Sequence, residues 1–334
     1  MEPPRVRISD IAEELGLSTA TVSNVIHGKT KKISDETVQR VQAMLEEKQY
    51  IPSMAGILLA QNNSRIIGVF VNDHPKYEGH TLDDAFIAAS LNALCTQIES
   101  AGQFMMVKKA QKPEEVLQFA SMWNMDGVVM MGFCRQDYMY LRSRIHIPFV
   151  VYDGFCRELE RMVNITLDHR DGGRQVGQMF ARTGHKRALC LADNTEGVDR
   201  ERVEGFQQAF GAERTRFWLI PMQKAERLKF YRQRLEQLRQ VSAIFAVSDV
   251  YAVELMQFLQ QNGLSIPGQI SIAGFDGIPL GEMVFPSLTT VRQDSALRAN
   301  VALEKLNALR NQQETETTVI LPVTLVERDS TRRE

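Results

Sequence analysis

From Ile66 onward, unbroken apolar runs alternate with stretches whose apolar positions recur every three to four residues. The runs are Ile66 to Val71, Phe104 to Val107, Gly127 to Met131, Pro148 to Tyr152, Ala188 to Leu191, Phe217 to Ile220, Ala243 to Val247 and Ile270 to Phe275. Being continuous rather than alternating, they predict strands covered on both faces. Between them Ala85 to Ser100, Glu114 to Trp123, Gly173 to Arg182 and Val250 to Gln261 predict amphipathic helices. Strand and helix in alternation imply parallel sheet with helices on both sides. The 270 residues from 65 to 334 exceed one such sheet of five or six strands, so two stacked α/β lobes are expected.

The first sixty residues have a different rhythm. Ile8 to Gly16 predicts a short helix with Ile8, Ile11 and Leu15 on one face, Ser9 as its cap and Gly16 as its left-handed end. A second helix follows Ser18, turning Val22, Val25 and Ile26 inward and leaving Thr19, Ala20, Thr21, Ser23 and Asn24 exposed. A third follows Ser34, with Asp35 and Glu36 in its first turn. Short helices joined by so tight a turn make a helix-turn-helix unit. Its second helix presents small, hydroxyl-rich side chains that can press into a major groove, where the Asn24 amide can pair with a base edge, preferably adenine. Gln61-Asn62-Asn63-Ser64 lacks apolar periodicity and reads as the linker.

Charge constrains this reading. The 39 Lys and Arg against 41 Asp and Glu give a net charge of -2, so any nucleic-acid contact must be local. Residues 1–60 hold seven basic and eight acidic side chains, which leaves Arg5, Arg7, Lys29, Lys31 and Lys32, flanking the second helix, as the phosphate patch. No apolar run is long enough for a membrane helix, and the N-terminus lacks a signal-type run, so a cytoplasmic protein is expected. Cys95, Cys134, Cys156 and Cys190 are spaced as neither a zinc site nor a disulfide framework and read as buried reduced thiols.

Ligands of open parallel sheets bind beyond the carboxyl ends of the strands. Asn72, Asp153, Ser248, Asp249 and Asp276 stand there. The plainer role for such residues is to cap the next helix, and for Asp249 that reading is preferred. For Asp153 and Asp276, each followed by glycine, capping and ligand contact stay open.

Ile8-Ser9-Asp10-Ile11-Ala12, Leu17-Ser18-x-x-Thr21-Val22-Ser23-x-Val25-Ile26-x-Gly28, Tyr50-Ile51-Pro52 and Leu58-Leu59-Ala60 resemble the DNA-binding headpiece and hinge of the LacI/GalR (lactose/galactose repressor) family. The likeness continues through Ile67-Gly68-Val69, Thr183-Gly184-His185, Ser271 to Asp276 and Leu288 to Val291, and ends in Leu321-Pro322-Val323-x-Leu325-Val326-x-Arg328-x-Ser330-Thr331. It implies a headpiece over residues 1–52, a hinge helix and linker over 53–64, and a two-lobed periplasmic-binding-protein-like core over 65–334. The first lobe would span 65–160 and 291–319 and the second 161–290 and 320–331, with a last helix from Ser295 to Leu309 returning to the first.

The resemblance also implies roles. Thr19, Ala20 and Asn24 would read bases, while Ser9, Ser18, Thr21 and Ser23 would meet phosphates, with His27 and Lys29 beside them. A hinge helix starting at Pro52 and Ser53 and weakened by Gly56 would fold on DNA, its Leu59, next to Ala60, wedging into the minor groove of a palindromic operator. Asp153, Arg202, Ser248 and Asp276, with Asn72 on the first-lobe side, would hold a sugar-like effector, in a homodimer or higher assembly. The alternative for Arg202 is a surface ion pair with Glu201 or Glu204. Four departures bear on specificity: Asn24 replaces the usual Arg, His27 the usual Asn before Gly28, Ser248 stands where Asn is typical, and the segment from Asn72 to His80 is longer and more polar, with two histidines that could bind metal, meet effector or stay solvated.

Rival classes fare worse. Gly28-Lys29-Thr30 ends like a phosphate-binding loop but lacks its first glycine and its strand, and Gly172-Gly173-x-x-x-Gly177 has the wrong spacing for a dinucleotide site. No nucleophile elbow or His-Glu-x-x-His pair occurs, so neither a catalytic residue, a metal site nor a cofactor is expected. A non-sugar ligand in the same fold is the nearest alternative, and an α/β enzyme a distant one. A periplasmic binding protein would need a signal peptide and no headpiece.

Overall fold

The computed structural model describes residues 6–50, 64–154 and 162–332 and divides the chain into units spanning residues 1–64 and 65–334. The expected hinge helix with Pro52, Ser53, Gly56, Leu59 and Ala60 lies outside the described residues, as do linker residues 61–63, Arg5 and Cys156.

The N-terminal unit contains α1 (Ile8–Leu15), α2 (Thr19–Ile26) and α3 (Asp35–Glu47). Ile11, Ala12, Val22, Val25 and Val41 are buried at their junction, and Ile8, Leu15, Leu17, Val38 and Leu45 pack around them. Ser18 caps α2 by accepting from the Thr21 amide at 3.1 Å, and Ser34 caps α3 through Thr37 at 3.3 Å. Gly16 takes the left-handed conformation, φ 64°, that ends α1. Ser9 is not the cap of α1. The helix begins two residues earlier than a Ser9 cap would place it, so Arg7 holds the cap position and its amide donates to the Asp10 carboxylate at 2.9 Å, while Ser9 Oγ donates to Asp10 Oδ1 at 3.1 Å.

The larger unit runs β1 (Ile66–Asn72), α4 (Ala85–Ser100), β2 (Phe104–Ala110), α5 (Pro113–Met122), β3 (Gly127–Met131), α6 (Arg135–Arg142), β4 (Phe149–Tyr152), β5 (Met162–Leu167), α7 (His169–Arg182), β6 (Ala188–Ala192), α8 (Gly197–Phe210) and β7 (Thr215–Leu219). It continues with α9 (Lys224–Gln233), α10 (Leu235–Leu238), β8 (Ala243–Ala246), α11 (Asp249–Gln261), β9 (Ser271–Asp276), α12 (Leu280–Met283), β10 (Thr289–Arg292), α13 (Ser295–Arg310), β11 (Thr318–Leu321) and β12 (Thr324–Val326). The strands form two six-stranded sheets, β11-β5-β4-β3-β1-β2 and β12-β10-β9-β8-β6-β7. All described pairings are parallel except β10 with β12.

The chain crosses between sheets three times: after β5, after β10, and between β11 and β12. These crossings correct the expected lobe limits. Residues 162–167 belong to the first lobe, because β5 pairs with β4, and 289–292 to the second, because β10 pairs with β9. β11 beside β5 extends the last first-lobe stretch to Leu321. Helix α13 does return to the first lobe, packing on α4 and on β3 to β5. Met162–Leu167 and Thr289–Arg292 escaped the apolar-run reading because buried or bonded polar residues interrupt them, and Thr318–Leu321 and Thr324–Val326 because they offer only three and two apolar residues.

Candidate functional site

Two groups of candidate residues lie in separate units. On the N-terminal unit, α2 leaves Ser18, Thr19, Ala20 and Asn24 exposed, and Thr21 and Ser23 half-buried. The Thr21 and Ser18 hydroxyls lie 2.8 Å apart. His27 Nδ1 donates to the Ser23 carbonyl at 2.8 Å, which fastens the ring to its own helix. Ser9, Arg7, Lys29, Lys31 and Lys32 are exposed, whereas Lys48 is paired with Glu14 at 2.8 Å and Arg40 donates to the Leu15 carbonyl. The cationic fringe therefore comprises Arg7 and three lysines just beyond α2.

In the larger unit, a cavity of about 1010 Å³ opens between the carboxyl ends of the two sheets. Asp84, Phe86, Tyr152 and Asp153 help to line its first-lobe wall, and Asp193, Asp199, Arg202, Ser248, Tyr251 and Asp276 its second. The volume suits a small metabolite. Asn72 stands apart: it lines an adjoining recess of 220 Å³, and its amide donates to the Gly132 carbonyl at 2.8 Å.

Arg202 is buried on α8, not on the surface beside Glu201 or Glu204. Glu204 instead pairs with Arg170 and Arg200. The Arg202 guanidinium lies 3.7 Å over the Phe275 ring, donates to the Val247 carbonyl at 2.5 Å, and stands 3.5 Å from Asp276. Its Nε donates to His169 Nδ1 at 3.2 Å, and His169 Nε2 reaches Asp153 at 3.1 Å. Asp153 also accepts from Thr166 at 3.0 Å and from the buried Arg298 at 2.8 Å.

Among the described residues neither Asp153 nor Asp276 caps a helix. Asp153 sits at φ 56°, its carboxylate bonded within the cleft, and Gln293 donates to Asp276 at 3.2 Å. Ser248, not Asp249, is the cap of α11, accepting from the Val250 amide at 3.3 Å. Fully buried Asp249 braces the second lobe, accepting from Thr290 at 2.6 Å and from the Ile278 amide at 3.0 Å.

These surroundings set the charges. Burial acts to raise the Asp153 carboxyl, but Arg298 and His169 outweigh it and hold Asp153 well below the usual range. Burial, reinforced by Arg202, lowers His169 to about 4, so its ring is neutral near pH 7. Burial pushes Asp276 up to about 7, with Asp249 and Asp84 adding and Arg202 opposing. Asp199 rises to about 7 for the same reason beside Asp193. Burial works to raise Asp193 as well, but Lys76 and the Tyr251 hydroxyl, 2.6 Å away, hold it lower. Lys76 belongs to the opposite wall, and its Nζ lies 3.9 Å from Asp193. The cleft is thus rich in carboxylates whose charge is only partly offset.

His74 accepts from the Lys76 amide at 3.1 Å and His80 stands 2.9 Å from Asp83. Among the described residues no cluster of three or more His, Cys, Asp or Glu is placed to hold a metal. Of the described cysteines Cys190 alone is buried; Cys134 is exposed on the cleft wall and Cys95 half-buried, which corrects the expectation of buried thiols. Sequence reasoning missed His169, Asp193, Asp199, Lys76 and Arg298; Lys76 and Arg298 find their partners, Asp193 and Asp153, far away along the chain. One signal was available. The Gly172-Gly173-x-x-x-Gly177 pattern marks close helix packing: a Cβ on Gly173 would lie 1.9 Å from the Arg202 carbonyl oxygen, and one on Gly205 1.9 Å from that of Arg170. Helices α7 and α8 therefore meet backbone to backbone, which brings His169 to Arg202.

Residues 7–53 match the family described as bacterial regulatory proteins, lacI family, and residues 178–331 a periplasmic binding protein-like domain. The chain is 27% identical over 311 residues to an HTH-type transcriptional repressor PurR of Photobacterium profundum, covering 90% of each chain. It is 26% identical over 337 residues to a ribose operon repressor of Haemophilus influenzae, covering 97% of this chain and 98% of the other. Its fold superposes on the crystal structure of a lac repressor dimer bound to operator and the anti-inducer ONPF with a TM-score of 0.84 at 23% identity, covering 98% and 99% of the two chains. No helix among the described residues is long and apolar enough to cross a membrane.

Proposed function

The chain belongs to the LacI family of bacterial regulatory proteins, DNA-binding transcriptional regulators under small-molecule control, and from that premise we propose a cytoplasmic homodimeric repressor of a palindromic operator. Thr19, Ala20 and Asn24 read base edges, flanked by Ser9, Ser18, Thr21, Ser23, His27 and Lys29 at the backbone. Leu59 and Ala60 of the hinge enter the minor groove. The effector lies in the cleft, held by Asp153, Arg202, Ser248 and Asp276, with Asn72 shaping the recess beside it.

The observation that carries this reading is the buried Arg202 fork facing Asp276 inside a 1010 Å³ cleft. A guanidinium and a carboxylate side by side offer donors and an acceptor to vicinal hydroxyls, and Tyr77, Phe86 and Tyr251 supply rings on which an apolar sugar face can rest. The carboxylates of Asp84 and Asp193, together with Asp199 and Asp276, each half-ionised near pH 7, disfavour a phosphate ester, so the effector is an uncharged polyhydroxylated metabolite. The test combines selection of DNA from a random pool with thermal shift of the full-length protein. A palindromic consensus is expected, as is a raised melting temperature with at least one of D-ribose, cellobiose and D-xylulose but none with ribose 5-phosphate. Failure to enrich any DNA sequence overturns the operator reading. A shift with the phosphate ester alone overturns the effector class.

A further inference from the structure

Arg298 is the largest fully buried side chain of the described residues, and two of its guanidinium nitrogens, Nε and Nη1, have no hydrogen-bond partner. Burying a cation so incompletely bonded is costly unless its charge is used nearby. Arg298 Nη2 donates to the Ile165 carbonyl at 2.7 Å and stands 2.8 Å from Asp153 Oδ1, and its guanidinium lies 4.1 Å over the Tyr152 ring. The cation thus shares Asp153 Oδ1 with His169 Nε2.

The partners of His169 fix its tautomer. An ionised Asp153 can only accept, so His169 Nε2 carries the proton; the Arg202 Nε–H can only donate, so His169 Nδ1 offers its lone pair. A protonated ring would have no acceptor for Arg202. Charge on Arg298 keeps Asp153 ionised, Asp153 orients the imidazole, and the imidazole receives Arg202. The four residues come from α13, the end of β4, the start of α7 and the middle of α8. His169 follows β5 by two residues, at the first crossing, so the series runs from the first lobe into the second there.

We propose that Arg298, Asp153 and His169 are positioning residues that aim the guanidinium of Arg202 into the cleft, with His169 held as the neutral Nε2–H tautomer. The proposal builds on the reading of Arg202 as an effector contact, but it specifies an arrangement that exists before any effector binds.

The charged groups facing His169 are Asp153 from β4, Arg202 from α8 and Arg298 from α13, with the Phe275 ring of β9 5.8 Å away. Removing Arg298 takes away a cation that opposes protonation of the ring and frees the Asp153 carboxylate to pair with it. The full-length protein, labelled at the histidine and arginine nitrogens, is examined by NMR without effector, with signals assigned through His169→Phe and Arg202→Lys. Expected in the wild type are a His169 ring protonated at Nε2 alone down to about pH 5, and a slowly exchanging Arg202 Nε–H whose exchange speeds at least tenfold in His169→Phe. In Arg298→Met the His169 proton affinity should rise at least tenfold. A proton on Nδ1, or a His169 midpoint unmoved in Arg298→Met, overturns the relay. If Arg298→Met fails to fold, Arg298→Gln replaces it, and the wild-type tautomer decides in any case. No effector enters these measurements, so a cleft that takes no sugar leaves the result standing, and a failed relay leaves the effector reading standing.

Discussion

The two units place their functional side chains under opposite conditions. On α2 the proposed reading face is exposed, small and uncharged, and its contacts are local, such as Ser18 with Thr21 and His27 with Ser23. In the cleft the corresponding side chains are buried or half-buried and mostly ionisable, and they are bonded to residues as far as 145 positions away, as Asp153 is to Arg298. A surface that must exchange water for DNA has little to gain from bonding to itself. A pocket that must recognise a small ligand needs its groups aimed beforehand, because their desolvation has already occurred on folding.

The comparison can be broken most severely where α7 meets α8. Gly205→Val forces side-chain atoms into the Arg170 carbonyl and should lower the unfolding free energy of the larger unit by about 3 kcal/mol, read from urea midpoints. An equally large loss from Asn24→Ala would show that the reading face is not the loosely bonded surface described. Asn24→Ala should instead leave stability within about 0.5 kcal/mol and change discrimination at one base pair by about 1–3 kcal/mol in competitive gel shifts.

A third test separates buried from exposed charge. Folded Asp276 keeps a proton up to about pH 7, whereas the unfolded side chain releases it near 3.8. Between those values the folded state binds more protons, so this residue's contribution to stability falls as pH rises, fastest below pH 7. His169, lowered to about 4 from 6.5, acts oppositely over its own window. Asp276→Asn should leave the His169 part and remove the other, so the variant gains on the wild type from about pH 5 to about pH 7 in urea midpoints. An unchanged difference would place Asp276 in water. The smallest effect is expected from Lys31→Ala, which should reduce the slope of log affinity against log salt by about 1 without altering sequence preference.

The same contrast explains what could be read from the chain beforehand. The three short helices and the strands with unbroken apolar runs announce themselves through neighbours in sequence, so the cap at Ser18, the start of α3 after Ser34 and the limits of β3 were legible to the residue. Met162–Leu167 was not, since Asn164 and Thr166 interrupt it. Their side chains serve Gly154 and Asp153 across the strand ends. Thr289 and Thr290 hid β10 likewise, their hydroxyls being satisfied by Thr331 and Asp249. Asp153, Arg202 and Asp276 could be named from strand ends and from likeness to a family, but Arg298 reads in sequence as one more polar position on an amphipathic helix. Local pattern records burial of apolar surface; it does not record which buried charge has found a partner far along the chain.

The order in which the strands appear has a consequence for synthesis. β11 and β12, the last strands made, close one edge of each sheet, and Ser330 and Thr331 then bond back to Ile272 and Thr289. Neither lobe can be completed until both have left the ribosome, whereas the reading helices have been available since residue 47. The nascent chain therefore holds its three-helix unit long before it holds a finished cleft.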